Sequence, residues 1–275
     1  MTRASAGGRA SAVAATSLCL VVLATLCPVS VAAAAARKPA IKLPDWSGVW
    51  NPAERNIFDP QALPPVTKAE EGFLPDTSYA REYPPYTPQY NARYEATLKR
   101  TAEGFGTDPS GRCIPPGFPR VMNTPFPLEF IIQPGRTTIL FEAWGQTRRI
   151  WTDGRPHPKD PDPSYNGHSI GHWEGDTLVI DTIGMRDDVN FDVTGAPHSD
   201  AIHVMERMRR RDADTIEDRI TVEDRKAFTK PWTVTRTYTR KPGWEIAEFV
   251  CVENQRNPPN ADGTTGIVLQ HGPEK

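Results

Sequence analysis

The sequence predicts an all-β protein with minor α content. The expected form is an antiparallel up-and-down β-barrel of lipocalin-like kind, with a proline-rich amino-terminal arm wrapping it. Three observations carry this reading. From Leu128 onward, apolar and polar residues alternate with period two over short runs, which sends successive side chains to opposite faces of a strand. Between the runs stands turn chemistry: Pro134-Gly135, Asp153-Gly154, Gly175-Asp176, Asp212–Asp214 and Lys241-Pro242-Gly243. These residues suit hairpin connections. No strong βαβ pattern intervenes, so the strands make an antiparallel sheet either closed into a barrel or folded into a sandwich, and consecutive hairpins favour the barrel.

Residues 1–36 read as a secretory signal. Arg3 and Arg9 precede an apolar stretch, Val13 to Leu26, and small residues follow up to Ala34-Ala35-Ala36. A basic head, an apolar centre and a small-residue cleavage site are the marks of export, here with cleavage near Ala36. The apolar centre is too short for a membrane span, so no stable membrane insertion is expected. Leu26 is too bulky for the residue a lipidation site wants before Cys27. The expected compartment is the periplasm or the outside of the cell. About 240 of the 275 residues then remain, enough for one domain with a sizeable core. With 32 Lys and Arg against 34 Asp and Glu, the chain has no basic footprint for nucleic acid. Cys19 and Cys27 leave with the signal, so Cys113 and Cys251 remain, and two cysteines in an oxidising compartment predict one disulfide. It would tie the end of the arm to the last strand.

Residues 37–127 form the arm. Its prolines remove backbone donors and fix φ, which excludes long sheet or helix. One short helix is predicted from Pro88 to Glu103, where Tyr90, Tyr94 and Leu98 recur every four residues. Trp46, Trp50, Phe58, Phe73, Tyr79, Tyr83 and Tyr86 argue against a disordered linker, because disordered segments are poor in aromatics. The barrel domain spans 128–256. Its predicted strands are Leu128–Gln133, Thr137–Trp144, Thr147–Thr152, His168–Glu174, Thr177–Ile183, Ile202–Arg210, Thr215–Glu223, Trp232–Arg240 and Trp244–Glu253. Residues 257–275 read as a flexible tail.

Alternation also separates the strand faces. Five strands each show an apolar face with one ionisable residue near its middle: Glu142, Asp181, Glu206, Arg236 and Glu248. Pointed into a barrel, these would make either structural ion pairs around Arg236 or a ligand cavity with a few convergent polar groups. Trp144 and Tyr238 share those faces and would contact the ligand.

Five of the six histidines fall between 157 and 203: His157, His168, His172, His198 and His203. Clustered histidines suit acid–base or metal chemistry. His168 and His172 look like a chelating pair, but their context is a strand and a turn. Four residues apart on a strand, they stand roughly 13 Å from one another at about 3.3 Å per residue, too far to share an ion.

The strings RRIWTDGRPHPKDPDPSYNGHSIGHWEGDTLVIDTIG, GAPHSDAIHVMERMRR and KPWTVTRTYTRKPGWEIAEFVCVEN, with LPDWSGVW near the start, resemble a family of secreted proteins of proteobacteria and acidobacteria. The family pattern is similar to GHSIGRWEGDTLVVDT. His172 stands where that pattern carries arginine, which sets it aside and leaves His168. The resemblance implies a shared fold and site region and no particular reaction.

Together these readings predict an exported enzyme of small, largely apolar or aromatic molecules. It would work by cofactor-free acid–base chemistry: hydration, dehydration, isomerisation or hydrolysis. The catalytic candidates are His168, His198, Asp181, Glu206 and Arg236; the substrate-binding candidates are His157, Glu142, Trp144, His203, Tyr238 and Glu248. Two rivals are a periplasmic binding protein for a hydrophobic ligand and a histidine-ligated metalloenzyme.

Overall fold

The computed structural model describes residues 43–53, 55–58, 79–82, 84–103, 105–106, 108–254, 261 and 265–266. The signal stretch 1–36, its cleavage point near Ala36, the aromatics Phe73 and Tyr83, and most of the tail after 256 lie outside them. Among the described residues, nine strands close into a barrel. They are β1 (Val49–Pro52), β2 (Leu128–Gln133), β3 (Arg136–Phe141), β4 (Thr147–Trp151), β5 (His168–Glu174), β6 (Thr177–Ile183), β7 (His203–Arg210), β8 (Thr215–Glu223) and β9 (Trp232–Arg240).

Neighbouring strands follow chain order from β2 to β9, and β1 pairs antiparallel with both β2 and β9 to close the circle. Two features depart from the sequence reading. The closing strand is Val49–Pro52, from the arm. Residues 244–250 form no strand, and Cys251–Asn254 is a short helix. That run faces solvent for most of its length, and no free sheet edge remained beside β9 once β1 had taken that place. The second departure is that β4 and β5 run parallel. A parallel neighbour needs a long crossover, supplied by residues 152–167, so Asp153-Gly154 opens that crossover and is no hairpin turn.

The turn at Gly175-Asp176 does join β5 and β6, with Gly175 at φ 65°. A residue with a Cβ pays steric strain there and glycine does not.

Residues of the arm enter the core. Trp46, Trp50, Phe118, Val121 and Met122 belong to the central apolar cluster together with Leu128, Ile139, Ile150, Leu178, Val204, Met208 and Tyr238. The predicted helix is α1 (Pro88–Ala102). Thr87 caps it by accepting from the Tyr90 amide, Pro88 sits where its missing N–H costs nothing, and Lys99 and Arg100 face the negative end of the dipole. Its Tyr94 is buried and hydrogen-bonds Thr194.

Cys113 and Cys251 are disulfide-bonded, with Cα atoms 5.6 Å apart. The bridge fastens the arm to the short terminal helix rather than to a strand. Thr265–Gly266, within the predicted flexible tail, pairs with Phe105–Gly106.

Candidate functional site

Two polar clusters sit on opposite faces of the same strands. The first lies inside the barrel. Arg148 is fully buried on β4 and donates through Nη1 to Glu206 Oε1 at 2.9 Å, through Nη2 to Thr182 Oγ1 at 2.9 Å, and through Nε to Ser169 Oγ at 3.2 Å. Its second nitrogen also bonds Glu206 Oε2, completing a bidentate pair. The guanidinium stacks on Phe118, 3.7 Å from the ring centre. Asp218, Arg236 and Tyr238 complete this interior group. Burial first, and then the charge of Glu206, pushes the Asp218 carboxyl well above the usual carboxylate range. Neither Asp218 oxygen meets a donor as placed, and a proton on one of them would let it donate towards Glu206. Burial likewise raises the Tyr238 phenol.

This interior is packed. The void at its mouth, between Met122, Phe191, Trp232 and Arg236, amounts to about 20 Å³, room for about one water. Glu206, Arg236 and Tyr238 do converge as the sequence predicted, but as a buried ion-pair group without access for substrate.

The second cluster lies on the outer face. On β6, Leu178, Ile180 and Thr182 are buried and point inward, so Asp181 points outward. The crossover carries His157 over this face. Gly167 makes the entry into β5 possible: its φ is 62°, and a Cβ there would lie 2.6 Å from the Ile183 carbonyl oxygen. The result is a chain of hydrogen bonds. His157 Nε2 lies 2.8 Å from Asp181 Oδ1, and His157 Nδ1 lies 2.8 Å from His168 Nδ1. His203 Nε2 reaches the same Asp181 oxygen at 3.0 Å, and its Nδ1 is 3.9 Å from Glu223.

The network assigns the protons. Hydrogen bonds from His203 foremost, and from His157, hold the Asp181 carboxyl below its ordinary range, although partial burial opposes them. As a carboxylate, Asp181 only accepts, so His157 donates from Nε2. His157 Nδ1 then accepts, His168 donates to it from Nδ1, and His168 Nε2 keeps a lone pair. Burial, then the nearby His157 and Arg155, lower the His168 pKa, so it is a free base at neutral pH. The bond from Asp181 raises the His203 pKa.

Beside the chain a groove of about 540 Å³ runs along the outer face, lined by Arg155, Ile170, His172, Val179, Asp181, Met205, Arg207, Arg219 and Thr221. That volume falls in the range of small-molecule sites. His168 lies one outward step along β5 from Ile170.

The sequence reading therefore needs several corrections. Asp181 faces outward with Val179 and Ile183, which are only partly buried, while Leu178, Ile180 and Thr182 fill the core side of the strand. Glu142 lies beyond the end of β3, whose inward residues are Thr137, Ile139 and Phe141; it accepts from the Ala247 amide. Trp144 sits in a left-handed turn at φ 53°, packed on Phe126 and Phe249. Glu248 is exposed and on no strand. His198 is fully buried, bonds Ser199 O and packs on Phe191, so no substrate reaches it; burial lowers its pKa. Its neighbour Ser199 is held by Asp224. His172 is exposed and pairs with Glu174, apart from the chain.

Sequence reasoning missed Arg148 and Asp218. The latter was legible, since Ile216, Asp218, Ile220 and Val222 share one face of β8. Arg155, Arg207 and Arg219 were missed because a charge on an outward face carries no signal by itself.

The four groups Asp181, His157, His168 and His203 form a chain and do not surround a point, because the two nitrogens of His157 face opposite ways. Among the described residues, no group of three or more His, Cys, Asp or Glu side chains is arranged to hold a metal ion. No protein-family model matches the chain, and a search of curated proteins finds no match.

Proposed function

We propose that this is an exported enzyme that performs acid–base chemistry on a small, largely apolar molecule in the outer groove. The observation that carries it is the Asp181–His157–His168 chain, two contacts of 2.8 Å that start at Asp181, which lines a groove of suitable size, and end on an imidazole nitrogen with no partner among the described residues. His168 is the catalytic base. When its Nε2 takes a proton, the ring becomes cationic, and transfer across the Nδ1–Nδ1 contact moves that charge to His157, next to the Asp181 carboxylate. His157 and Asp181 are positioning residues in the sense that a carboxylate fixes an imidazole and stabilises its cation. The Cys113–Cys251 bridge and the signal-like amino terminus support the periplasm or the exterior as its place of work.

The test uses 4-nitrophenyl acetate, a neutral activated ester. His168 Nε2 would take a proton from water as the oxygen attacks the carbonyl and give it to the departing 4-nitrophenolate, so that the C–O bond breaks to release acetic acid and 4-nitrophenol and the base is regenerated. Replacing His168 by alanine is expected to slow hydrolysis by roughly 100-fold, the lower end of what a positioned base supplies. Because the His168 pKa is lowered from its usual 6.5, the rate should rise with pH through a midpoint below that value and then level off. Asp181→Asn should lower the rate and move that titration further down. A folded His168→Ala variant as fast as the wild type removes this catalytic reading, and no hydrolysis by the wild type at all leaves a binding protein.

A further inference from the structure

We propose that the outer groove recognises an anion: its substrate is a small acid with an apolar body, held by Arg207 and Arg219. This names the substrate class of the site proposed above and rests on that site being where substrate binds.

On the outer face, His172 pairs with Val179, Val179 with Arg207, and Arg207 with Arg219. Two guanidinium side chains thus stand directly opposite each other on adjacent strands. Like charges in that position repel and destabilise a sheet. The two arginines are not equally committed. Arg207 bonds Glu174 at 2.7 Å, and His172 holds the same carboxylate at 3.1 Å. Arg219 makes no hydrogen bond or ion pair among the described residues. Arg155, the third guanidinium on the groove, is bound to Asp153 by both Nε and Nη2 and stacked on Trp151. The groove therefore holds one uncommitted cation beside a second, over an apolar floor of Ile170, Val179 and Met205.

The next outward row is Ile170, Asp181, Met205 and Thr221. It lies two residues along the strands, or about 7 Å. A ligand whose oxyanion bridges Arg207 and Arg219 would lay its body on Val179 and Met205. Its far end would then reach the Asp181–His157 pair. Asp181 itself repels an anion at that end, which fixes the orientation: charge at the arginines, reacting group towards the histidines. The oxyanion can be a carboxylate or a phosphate, and both pair with guanidinium through two parallel bonds.

Calorimetric titration separates these cases with benzoate, phenyl phosphate and the neutral isostere benzamide. Benzoate or phenyl phosphate should bind and benzamide should bind at least tenfold more weakly; which acid binds tighter identifies the oxyanion. Arg219→Ala should weaken the acid by about tenfold, the scale of one charge-assisted hydrogen bond, and Arg219→Lys should restore part of it. Because Arg219 is exposed on the outer face, both variants should fold. Equal binding of benzamide, or an unchanged affinity in Arg219→Ala, overturns the proposal. Binding is read without turnover. No acid binding by the wild-type protein, with His168-dependent ester hydrolysis present, would thus remove this inference alone, and acid binding without such hydrolysis would remove only the catalytic reading.

Discussion

The barrel wall carries the same chemistry on both of its faces with opposite consequences. Inside, Arg148 and Glu206 are sealed from solvent and every guanidinium nitrogen has a partner. Outside, Asp181 and His203 remain 40% and 31% exposed at the side chain, and His168 keeps one nitrogen uncommitted. The two clusters are one residue apart in register: on β6 and β7, Ile180 pairs with Glu206 and Asp181 with Met205. The period-two pleat alone sends one carboxylate to the core and its neighbour to a groove. Charge at the centre of an apolar strand face is thus not a mark of function. What separates a structural ion from a working one is whether something open lies in front of it.

The largest effect that tests this division is Arg148→Met. It leaves Glu206 buried without its cation, and breaking a buried pair in this way costs about 3–5 kcal/mol. Urea unfolding should show a midpoint drop of that size. The double variant Arg148→Met, Glu206→Leu should recover most of the loss, because it removes the stranded charge as well. A single variant as stable as the wild type would mean that the interior cluster is not structural.

A second effect follows from Asp218. Its folded carboxyl is raised far above the usual 3.8, so between these two values the folded state holds a proton that the unfolded state has lost. Stability must therefore fall as pH rises through that window. Asp218→Asn keeps the shape and a donor towards Glu206 without needing the proton. It should stabilise the protein at pH 7 and change nothing near pH 3, read from unfolding midpoints at the two pH values. Equal midpoints at pH 7 would show that the carboxyl is not protonated in the fold.

The barrel was legible because alternation and turns are local. Leu128–Gln133, His168–Glu174, Thr177–Ile183, Thr215–Glu223 and Trp232–Arg240 begin and end where the pattern of apolar residues does. The parallel step between β4 and β5 was not legible, since nothing local in residues 152–167 says which way the chain returns. That one step decides the site. It brings His157 over β6, joining Asp181 and His168 into one hydrogen-bonded chain. His168, His157, Asp181 and His203 were all named from residue type and clustering. Their grouping, and the exclusion of His198, depend on which strand face is inside, and alternation alone is symmetric between the two.

The smallest effect concerns the outer cluster itself. Asp181 raises the His203 pKa above its usual 6.5, so this bond stabilises the fold fully below pH 6.5 and ceases to do so as pH rises through the folded value. Asp181, lowered below 3.8, contributes in the mirror sense: its share is present above 3.8 and is lost as pH falls through its depressed value. Both groups are solvent-accessible, so screening keeps the bond within about 1 kcal/mol. His203→Asn should therefore lower the unfolding midpoint slightly at pH 5 and not at pH 9. If its cost at pH 5 matched that of Arg148→Met, the outer histidines would be holding the fold together, and the division between a structural inside and a working outside would fail.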